Sequence, residues 1–559
     1  MSLSLLLGTA LLFSRTICVA SLSSNLGPVV DLGYAAFAGN STSPEGIENS
    51  PVTFFGNIPY AEPPVGNLRF RAPKPLNENG RAQVVTDARN WGPPCIQWPA
   101  VVGVGSEDCL TLNVWKPTNA TEGSKLPVVV YIHGGGFFQG SPSGFPFNDW
   151  VAQHPGGIVA ASITYRLGVL GFMGGSQIAA DGDLNAGLLD QRAGLEWIQR
   201  HISKFGGDPN EVTIMGESAG GASVVMQVVA YGGTKPAPFK RAAAHSIGFG
   251  GVRNQTEVER DFSMAASIIG CPDDKNTLSC MRNASVGAIV SAINRLPNDL
   301  SPVIDGDNGF LPDLPSHLIN AGKFSTVEFL GGHCTGDGAT FVGGTPDQFK
   351  TDDDIRNILF ARYRGLTADT IAKAFALYPA PGTPGSTFAT QFDRASAMAG
   401  DIVFSCMDWL LAEKELERGV KNVFAFSWNA PDTVLFNATP YRGAAHTSDL
   451  YYLFNGNNPF NNDGNTFTPF NTSEAVLASE AIAYWTSFVA NGDPSVDKKA
   501  TSPAWTKFSA GIGQDTRSRM QLTRGGNNVT ASGMEGISPA QIERCQFWMS
   551  DTVAGQTRL

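Results

Sequence analysis

The residues with the clearest chemical capacity surround Ser218, in the run Glu211-Val212-Thr213-Ile214-Met215-Gly216-Glu217-Ser218-Ala219-Gly220-Gly221. A β-branched run stops at Gly216 and a run of small residues starts at Ala219, which predicts a strand, a sharp turn and a helix. In Gly216-x-Ser218-x-Gly220 the residues two places either side of the serine lack a Cβ, so the strand and helix can approach closely. The strained turn would expose Oγ, and the Ala219 N–H would lie at a helix N-terminus, where negative charge is stabilised. We predict that Ser218 is a nucleophile; the structural alternative is a glycine-rich helix start.

A serine hydroxyl attacks only when a base removes its proton, so a histidine must reach Ser218. In a sheet of this kind the catalytic residues follow the chain order serine, acid, histidine. Asp337 follows the apolar strand predicted at residues 327–330, and His446 is the only histidine beyond it. We therefore predict His446 as the base and Asp337 as the acid that orients it. His333 stays open as an alternative base, and an Asx turn in a glycine-rich loop as an alternative role for Asp337.

A second glycine run, His133-Gly134-Gly135-Gly136-Phe137, directly follows the strand predicted at residues 127–132. Without Cβ atoms, its backbone N–H groups can turn towards a reacting carbonyl. Each such donor contributes about 3–4 kcal/mol to the stabilisation of an oxyanion. The run predicts an oxyanion hole, and a flexible turn is the alternative.

Strands and helices alternate along the chain and must position these residues. Apolar or alternating strands are predicted at residues 110–115, 127–132, 158–165, 211–216, 241–246, 327–330 and 423–428, and helices at residues 187–202, after Ser218 and at 474–490. The stretch 55–70 is predicted to take an extended, turning path, and 455–465 a loop. This alternation predicts the α/β class, with a large, mostly parallel sheet covered by helices on both faces. No Ser/Gly/Pro-rich linker divides the chain, so we expect one catalytic domain over residues 21–559.

Composition limits the partners. The net charge of −11 argues against nucleic acid and anionic membranes, because phosphate binding needs a basic surface. No apolar run reaches the roughly 18 residues of a membrane-spanning helix, so we expect no integral membrane contact. None of the eight cysteines lies in a C-x-x-C or Cys/His pattern, so neither a metal nor another cofactor is expected. The oligomeric state does not follow from the sequence.

The first 20 residues predict secretion. Residues 5–13 form an apolar core of signal-peptide length, and Ala20 precedes a possible cleavage site; a buried N-terminal helix is the alternative. Seven Asn-x-Ser/Thr sites are glycosylation candidates: Asn40, Asn119, Asn254, Asn283, Asn437, Asn471 and Asn528. We expect a secreted, extracellular glycoprotein with a signal peptide at residues 1–20.

Four further stretches accompany the serine turn: residues 58–66 (IPYAEPPVG), 106–113 (SEDCLTLN), 185–192 (NAGLLDQR) and 205–209 (FGGDP). With these motifs the chain resembles the type-B carboxylesterase/lipase family, the cholinesterase-like branch of the α/β-hydrolases, and within it a secreted fungal-type esterase. The resemblance covers residues from about 28 to about 550. It implies an α/β-hydrolase fold with helical insertions over the active site.

The resemblance also implies roles for individual residues. The triad is Ser218, Asp337 and His446, and the oxyanion hole is formed by the N–H groups of Gly135, Gly136 and Ala219. The family more often has Glu at the acid position, so Asp337 is one methylene shorter. The implied disulfides are Cys95–Cys109, Cys271–Cys280 and Cys406–Cys545, which leaves Cys334 free. The implied buried ion pairs are Arg69–Glu107 and Arg166–Asp190, and Glu217 is a carboxylate lining the site.

The predicted function is hydrolysis of small-molecule carboxylic esters through an acyl-serine intermediate. In lipases and cholinesterases of this kind the first disulfide loop is long and forms a lid or wall, whereas Cys95 and Cys109 enclose a short loop here. We therefore expect an open gorge, no interfacial activation and a preference for soluble esters. The alternatives are a triacylglycerol lipase of the same family and a non-catalytic, cholinesterase-like binding or adhesion protein.

Overall fold

The apolar strands of the sequence meet in one central sheet. In the computed structural model, which describes residues 23–559 apart from 44, 45, 47, 249, 298, 299, 459–465 and 514, the sheet has ten described strands. The strands of the chain are β1 Val29–Asp31, β2 Ala36–Ala38, β3 Val52–Pro59, β4 Val85–Asp87, β5 Thr111–Pro117, β6 Leu126–Ile132, β7 Val159–Ile163, β8 Gly207–Glu217, β9 Arg241–His245, β10 Glu328–Cys334, β11 Val423–Trp428, β12 Ser518–Leu522 and β13 Gly533–Gly536.

The central sheet has the order β13-β12-β11-β10-β9-β8-β6-β7-β5-β3. Neighbours from β7 through β12 are parallel, whereas β3, β5 and β13 join antiparallel at the two edges. A separate small sheet has the order β1-β2-β4. The mostly parallel sheet and the α/β class are confirmed.

Helices occupy the connections between strands. They are α1 Asn148–Gln153, α2 Gly168–Phe172, α3 Ser176–Asp181, α4 Ala186–His201, α5 Ala219–Val229, α6 Gln255–Ile269, α7 Thr277–Asn283, α8 Val286–Arg295, α9 Pro315–Asn320, α10 Asp337–Phe341, α11 Asp352–Ile358, α12 Ala368–Leu377, α13 Gln391–Gly400, α14 Cys406–Glu417, α15 Thr433–Ala438, α16 Ser448–Leu453, α17 Thr472–Asn491, α18 Pro539–Trp548 and α19 Asp551–Thr557. Between α13 and α14 lies a π-helical turn, Asp401–Ser405.

Alternate residues of the central strands face two different cores. Val128 and Val130 of β6 pack in one apolar cluster with α4 and α5, whereas Val129 and Tyr131 pack in a second cluster with α17. Successive side chains of a strand point to opposite faces, so helices must cover both sides of this sheet. The continuous apolar runs of the sequence are explained by this burial on both faces.

Most predicted elements are confirmed within a few residues. The helix expected at 187–202 is α4, the one expected at 474–490 is α17, and the strand expected at 158–165 is the shorter β7. The extended path at 55–70 begins inside β3 and ends in a short 3-10 turn at Gly66–Leu68. The predicted signal peptide at residues 1–20 and most of the loop predicted at 455–465 lie outside the described residues.

The helical segment Gln391–Glu417 is long and apolar enough to cross a membrane, but 72% of its most apolar stretch is buried inside the fold. Its second half, α14, packs against β10, β11 and α18 in the core. Burial of this kind is typical of a core helix.

Candidate active site

Ser218 lies in the one-residue turn between β8 and α5. Its backbone has φ 59° and ψ −125°, a region that non-glycine residues rarely adopt. A Cβ on Gly216 would lie 2.4 Å from the carbonyl carbon of Gly220, and a Cβ on Gly220 would lie 2.1 Å from the carbonyl oxygen of Ile132. The two glycines therefore allow the strand and the helix to meet, and strain of this kind is found where a side chain must be presented to a ligand.

Asp337 and His446 form a buried pair at the carboxyl ends of the neighbouring strands β10 and β11. His446 Nδ1 lies 2.6 Å from Asp337 Oδ1, and the two residues are 2% and 1% exposed. Asp337 Oδ2 accepts hydrogen bonds from Ser246 Oγ at 2.8 Å and from the Cys334 N–H at 3.0 Å. With these acceptor sites occupied, Asp337 is fixed in orientation and holds the proton of His446 on Nδ1.

The other imidazole nitrogen faces the site. Among the described residues His446 Nε2 has no hydrogen-bond partner, although Glu217 Oε1 lies 3.3 Å away. Ser218 and His446 line the same cavity, and a Cβ on Gly134 would lie 3.1 Å from Ser218 Cβ. The structure therefore brings together Ser218, His446, Asp337 and the glycine run that begins at His133.

The alternative base, His333, lies elsewhere. Its Nδ1 is 2.9 Å from Asp408 Oδ2, and it lines a separate small pocket with Asp408 and Arg519. Although His333 belongs to β10, its side chain does not line the cavity of Ser218. The geometry disfavours it as the partner of Ser218.

The glycine loop after β6 lines the cavity at Ser218. Gly135 and Gly136 have φ of 102° and 63°, and a Cβ on Gly135 would lie 2.1 Å from the carbonyl oxygen of Gln139. Among the described residues the N–H groups of Gly135 and Gly136 donate to no protein acceptor. Ala219 begins α5, so its N–H is one of the donors that a helix leaves unpaired. These amides are available to an oxygen bound at Ser218.

Two buried carboxyls set the charge of His446. Burial raises the pKa of Glu217 well above its usual range. Burial lowers the pKa of His446, but the negative charges of Glu217 and Asp337 outweigh it and raise that pKa to about 9. A protonated Glu217 no longer attracts a proton to the imidazole. Burial favours this protonated form of Glu217, in which His446 can act as a base.

A second buried cluster supports the catalytic loop and was missed by the sequence reasoning. Trp485 Nε1 donates to His245 Nε2 at 2.6 Å, so the proton of His245 is on Nδ1 and is donated to Asp449 Oδ2 at 2.7 Å. Cys334 Sγ lies 3.6 Å from the other Asp449 oxygen. Asp449 is three residues after His446, so this cluster ties the histidine loop to β9 and β10. The spacing His446-x-x-Asp449 was the available sequence signal.

The cavity over Ser218 has a volume of about 1120 Å³. Aromatic rings form its inner wall, and Phe341 and Phe404 lie with ring centroids 4.8 and 4.9 Å from that of His446. Phe138 and Phe145 also line it. None of these aromatic residues was predicted, because they come from segments that are separated in the sequence.

The structure contains the three disulfides that the resemblance implies, Cys95–Cys109, Cys271–Cys280 and Cys406–Cys545, and Cys334 is a buried free thiol. It also contains both implied ion pairs. Arg69 and Arg166 each make two hydrogen bonds to their carboxylates, Glu107 and Asp190, at 2.6–2.7 Å.

One cluster of potential metal ligands consists of Asp401, Cys406 and Cys545. The two sulfurs are joined to each other, and Asp401 accepts hydrogen bonds from Arg544 and Tyr378. The cluster therefore holds the π-helical turn in place and offers no free thiolate.

Comparison with known proteins agrees with this geometry. The family model described as "Carboxylesterase family" matches residues 27–548. The chain belongs to the carboxylesterase family. It is therefore a serine carboxylic ester hydrolase that acts on small-molecule esters, with the α/β-hydrolase fold of that family.

Similar members of the carboxylesterase family include fungal lipases. Lipase 1 of Geotrichum candidum is 31% identical over 504 residues, which cover 79% of this chain and 87% of the lipase. The secreted triacylglycerol lipase of Gibberella zeae is 30% identical over 510 residues, or 82% of this chain and 83% of that protein. The crystal structure of Aspergillus niger EstA superposes with a TM-score of 0.82 at 29% identity, covering 96% of this chain and all of that one.

Proposed function

We propose that this carboxylesterase hydrolyses esters with Ser218 as nucleophile, His446 as general base and Asp337 as the acid that orients His446. Ser218 Oγ attacks the ester carbonyl while its proton passes to His446 Nε2. The N–H groups of Gly135, Gly136 and Ala219 stabilise the oxyanion, and the alcohol leaves with the proton of His446. Water, activated by the same histidine, then releases the acid from the acyl-serine.

The observation that carries this proposal is the buried 2.6 Å contact between His446 Nδ1 and Asp337, with the free Nε2 in the cavity of Ser218. A histidine held as the Nδ1–H tautomer has its lone pair on Nε2, where a serine proton is accepted. The strained turn at Ser218 supports the same assignment. A non-catalytic binding protein would need none of these features.

The test is chemical labelling combined with substitution. A fluorophosphonate should add one phosphonyl group, located by mass spectrometry on the peptide containing Ser218. Ser218→Ala should abolish labelling and lower kcat by about 10⁴-fold or more, as expected when a triad serine is removed. Exposed Ser279 on α7, outside the cavity, offers a matched control, Ser279→Ala, which should behave as the unaltered enzyme. Labelling at another residue, or near-normal turnover of Ser218→Ala, would refute the assignment.

We further propose that the protein is secreted as one catalytic domain over residues 21–559 after removal of a signal peptide at 1–20. Three disulfides support an extracellular protein, because such bonds persist in oxidising compartments. Six of the seven glycosylation candidates are exposed and Asn40 is half-buried. N-terminal sequencing and glycosidase treatment of the protein recovered from culture medium would test both points.

The short loop from Cys95 to Cys109 supports a preference for soluble esters. All of this loop is described, and it contains turns and bends but no helix that could act as a lid. The triacylglycerol lipase alternative is favoured by the relatives above and by three exposed apolar side chains on the same loop, Val101, Val102 and Val104. Rates measured with tributyrin through its solubility limit separate the two functions, since a lipase with interfacial activation would show a steep rise above the limit.

A further inference from the structure

The outer part of the catalytic cavity differs in charge from the rest of the protein. Among the described lining residues the charged side chains, apart from His446, are Glu217, Glu257, Arg260, Arg362, Arg364 and Arg558. Four arginines thus accompany two glutamates, in a chain with a net charge of −11. Arg260, Arg362 and Arg364 are exposed and Arg558 is half-buried, and they lie on α6, at the end of α19 and in the turn after α11.

The two glutamates do not cancel this positive charge. Glu257 is paired with Arg558, whose two terminal nitrogens lie 2.5 and 3.0 Å from its oxygens. Glu217 lies at the cavity floor, where burial raises its pKa and favours the neutral form. Arg260 contacts Asp261 from outside the lining. The remaining charge of the mouth therefore comes from Arg362 and Arg364.

Arg362 is the last residue of the 3-10 turn Phe360–Arg362, and Arg364 follows it after Tyr363. Both arginines are exposed, and neither forms an ion pair with a described residue. The backbone is held close to α19, because a Cβ on Gly365 would lie 2.3 Å from the carbonyl oxygen of Gln556. The segment is therefore a fixed part of the cavity rim.

Arg362 is also connected to the reacting groups. Its Nη1 donates to the carbonyl oxygen of Phe341, whose ring packs edge-on against His446 at 4.8 Å. Phe341 is thus the one residue between the guanidinium of Arg362 and the imidazole of His446. A substrate whose ester lies at Ser218 and whose chain follows the ring of Phe341 would bring its far end to Arg362 and Arg364.

We propose that Arg362 and Arg364 bind a carboxylate carried by the substrate, so that the preferred substrates are esters with a second, anionic group at the end away from the scissile bond. Guanidinium groups recognise carboxylates through paired hydrogen bonds, and the surrounding aromatic rings suit the apolar chain between the two ends. A positive mouth on an acidic protein also attracts such anions from solution. This inference rests on the proposed function of Ser218 and names the substrate class of that same site.

The test compares monomethyl esters of dicarboxylic acids, from succinate to sebacate, with methyl esters of the monocarboxylic acids of equal length. Hydrolysis of each ester is followed by pH-stat titration. The measured quantity is the ratio of kcat/KM for the anionic ester to kcat/KM for the neutral ester. At one or more chain lengths the ratio should exceed one, and it should fall when the salt concentration rises from about 0.02 M to about 0.5 M, because salt screens exposed charges. Arg362→Gln/Arg364→Gln should lower the ratio by about tenfold or more. Arg362→Lys/Arg364→Lys, which keeps the charge but loses the paired hydrogen bonds, should give a ratio between those of the Gln variant and the unaltered enzyme.

Arg356 supplies the control. It is an exposed arginine on α11 that lies over the ring of Phe375, outside the cavity, so Arg356→Gln should leave the ratio unchanged. A ratio below one at every chain length, or an equal loss of both activities in the Gln double variant, would overturn the inference. It would also be overturned if the double variant lost only the hydrolysis of neutral esters held in anionic vesicles, since the arginines would then dock the enzyme on a surface. Failure to hydrolyse any methyl ester would instead refute the proposed function.

Discussion

Replacing Asp337 by Asn should inactivate the enzyme through the tautomer of His446, without a large change in shape. Asp337 Oδ2 accepts from Ser246 Oγ and from the Cys334 N–H, so the oxygen of an asparagine is held at that position. Its amide nitrogen then faces His446 Nδ1, which must become an acceptor. The imidazole proton is thereby moved to Nε2, where it blocks transfer from Ser218.

The magnitude follows from the two possible orientations of the amide. Turning the amide over would restore the useful tautomer but would set NH₂ against two donors, and each broken buried hydrogen bond costs about 1–3 kcal/mol. The unproductive orientation therefore dominates, and the charge that stabilises protonated His446 is lost as well. We expect kcat to fall by about 10⁴-fold, equivalent to about 5 kcal/mol of transition-state stabilisation.

The assay is the hydrolysis of nitrophenyl acetate, with thermal melting to verify that Asp337→Asn folds. Asp337→Glu is the matched control because it retains the charge with one added methylene, and it should keep far more activity than the Asn variant. A folded Asp337→Asn enzyme within tenfold of normal turnover would refute the role given to Asp337. Equal, severe losses in both variants would show that shape matters here more than charge.

Three further predictions concern charge, crosslinks and backbone geometry. Burial already favours the neutral form of Glu217, so Glu217→Gln should leave the acid limb of the pH–rate profile nearly unchanged. A large shift of its midpoint to lower pH would contradict this, because it would show that an ionised Glu217 raises the pKa of His446. Replacing both cysteines of Cys406–Cys545, which are 139 residues apart, should destabilise the fold by about 5 kcal/mol. The same change at Cys271–Cys280, with a separation of 9, should cost about 3 kcal/mol. Calorimetric melting temperatures in the reverse order would exclude loop entropy as the cause. Gly220→Ala should abolish soluble expression or activity, because its Cβ would lie 2.1 Å from a carbonyl oxygen of β6; a normal melting temperature and turnover would disprove the steric argument.

The sequence predicted those parts of the site that depend on local chain geometry. The turn at Ser218 can be predicted because the glycines that make it possible are close neighbours in the sequence. His446 and Asp337 followed from chain order and from their positions after strands β11 and β10. For Ser218 and Asp337 the signal and the structure lie within a few residues of each other, whereas His446, which comes well after the end of β11, followed from chain order.

Contacts between distant segments could not be predicted in this way. Ser246 binds Asp337 across 91 residues, and His245 binds Asp449 across 204. The sequence around such residues is ordinary, since what selects them is the order of strands in the sheet. His333 remained open for the same reason, because only its pairing with Asp408, 75 residues later, places it in another pocket.

The burial of Cys334 has a consequence for the maturation of the chain. Its thiol is 1% exposed, and burial together with the nearby charge of Asp449 raises its pKa well above the usual range. Thiolates attack disulfides, whereas thiols do so very slowly. The sulfur of Cys334 is therefore unreactive once it is buried between the strands. During oxidative folding, by contrast, it is a seventh competitor among the cysteines after residue 20. Once β10 is buried in the sheet, Cys334 can no longer form wrong disulfides. The fold itself then protects this unpaired thiol.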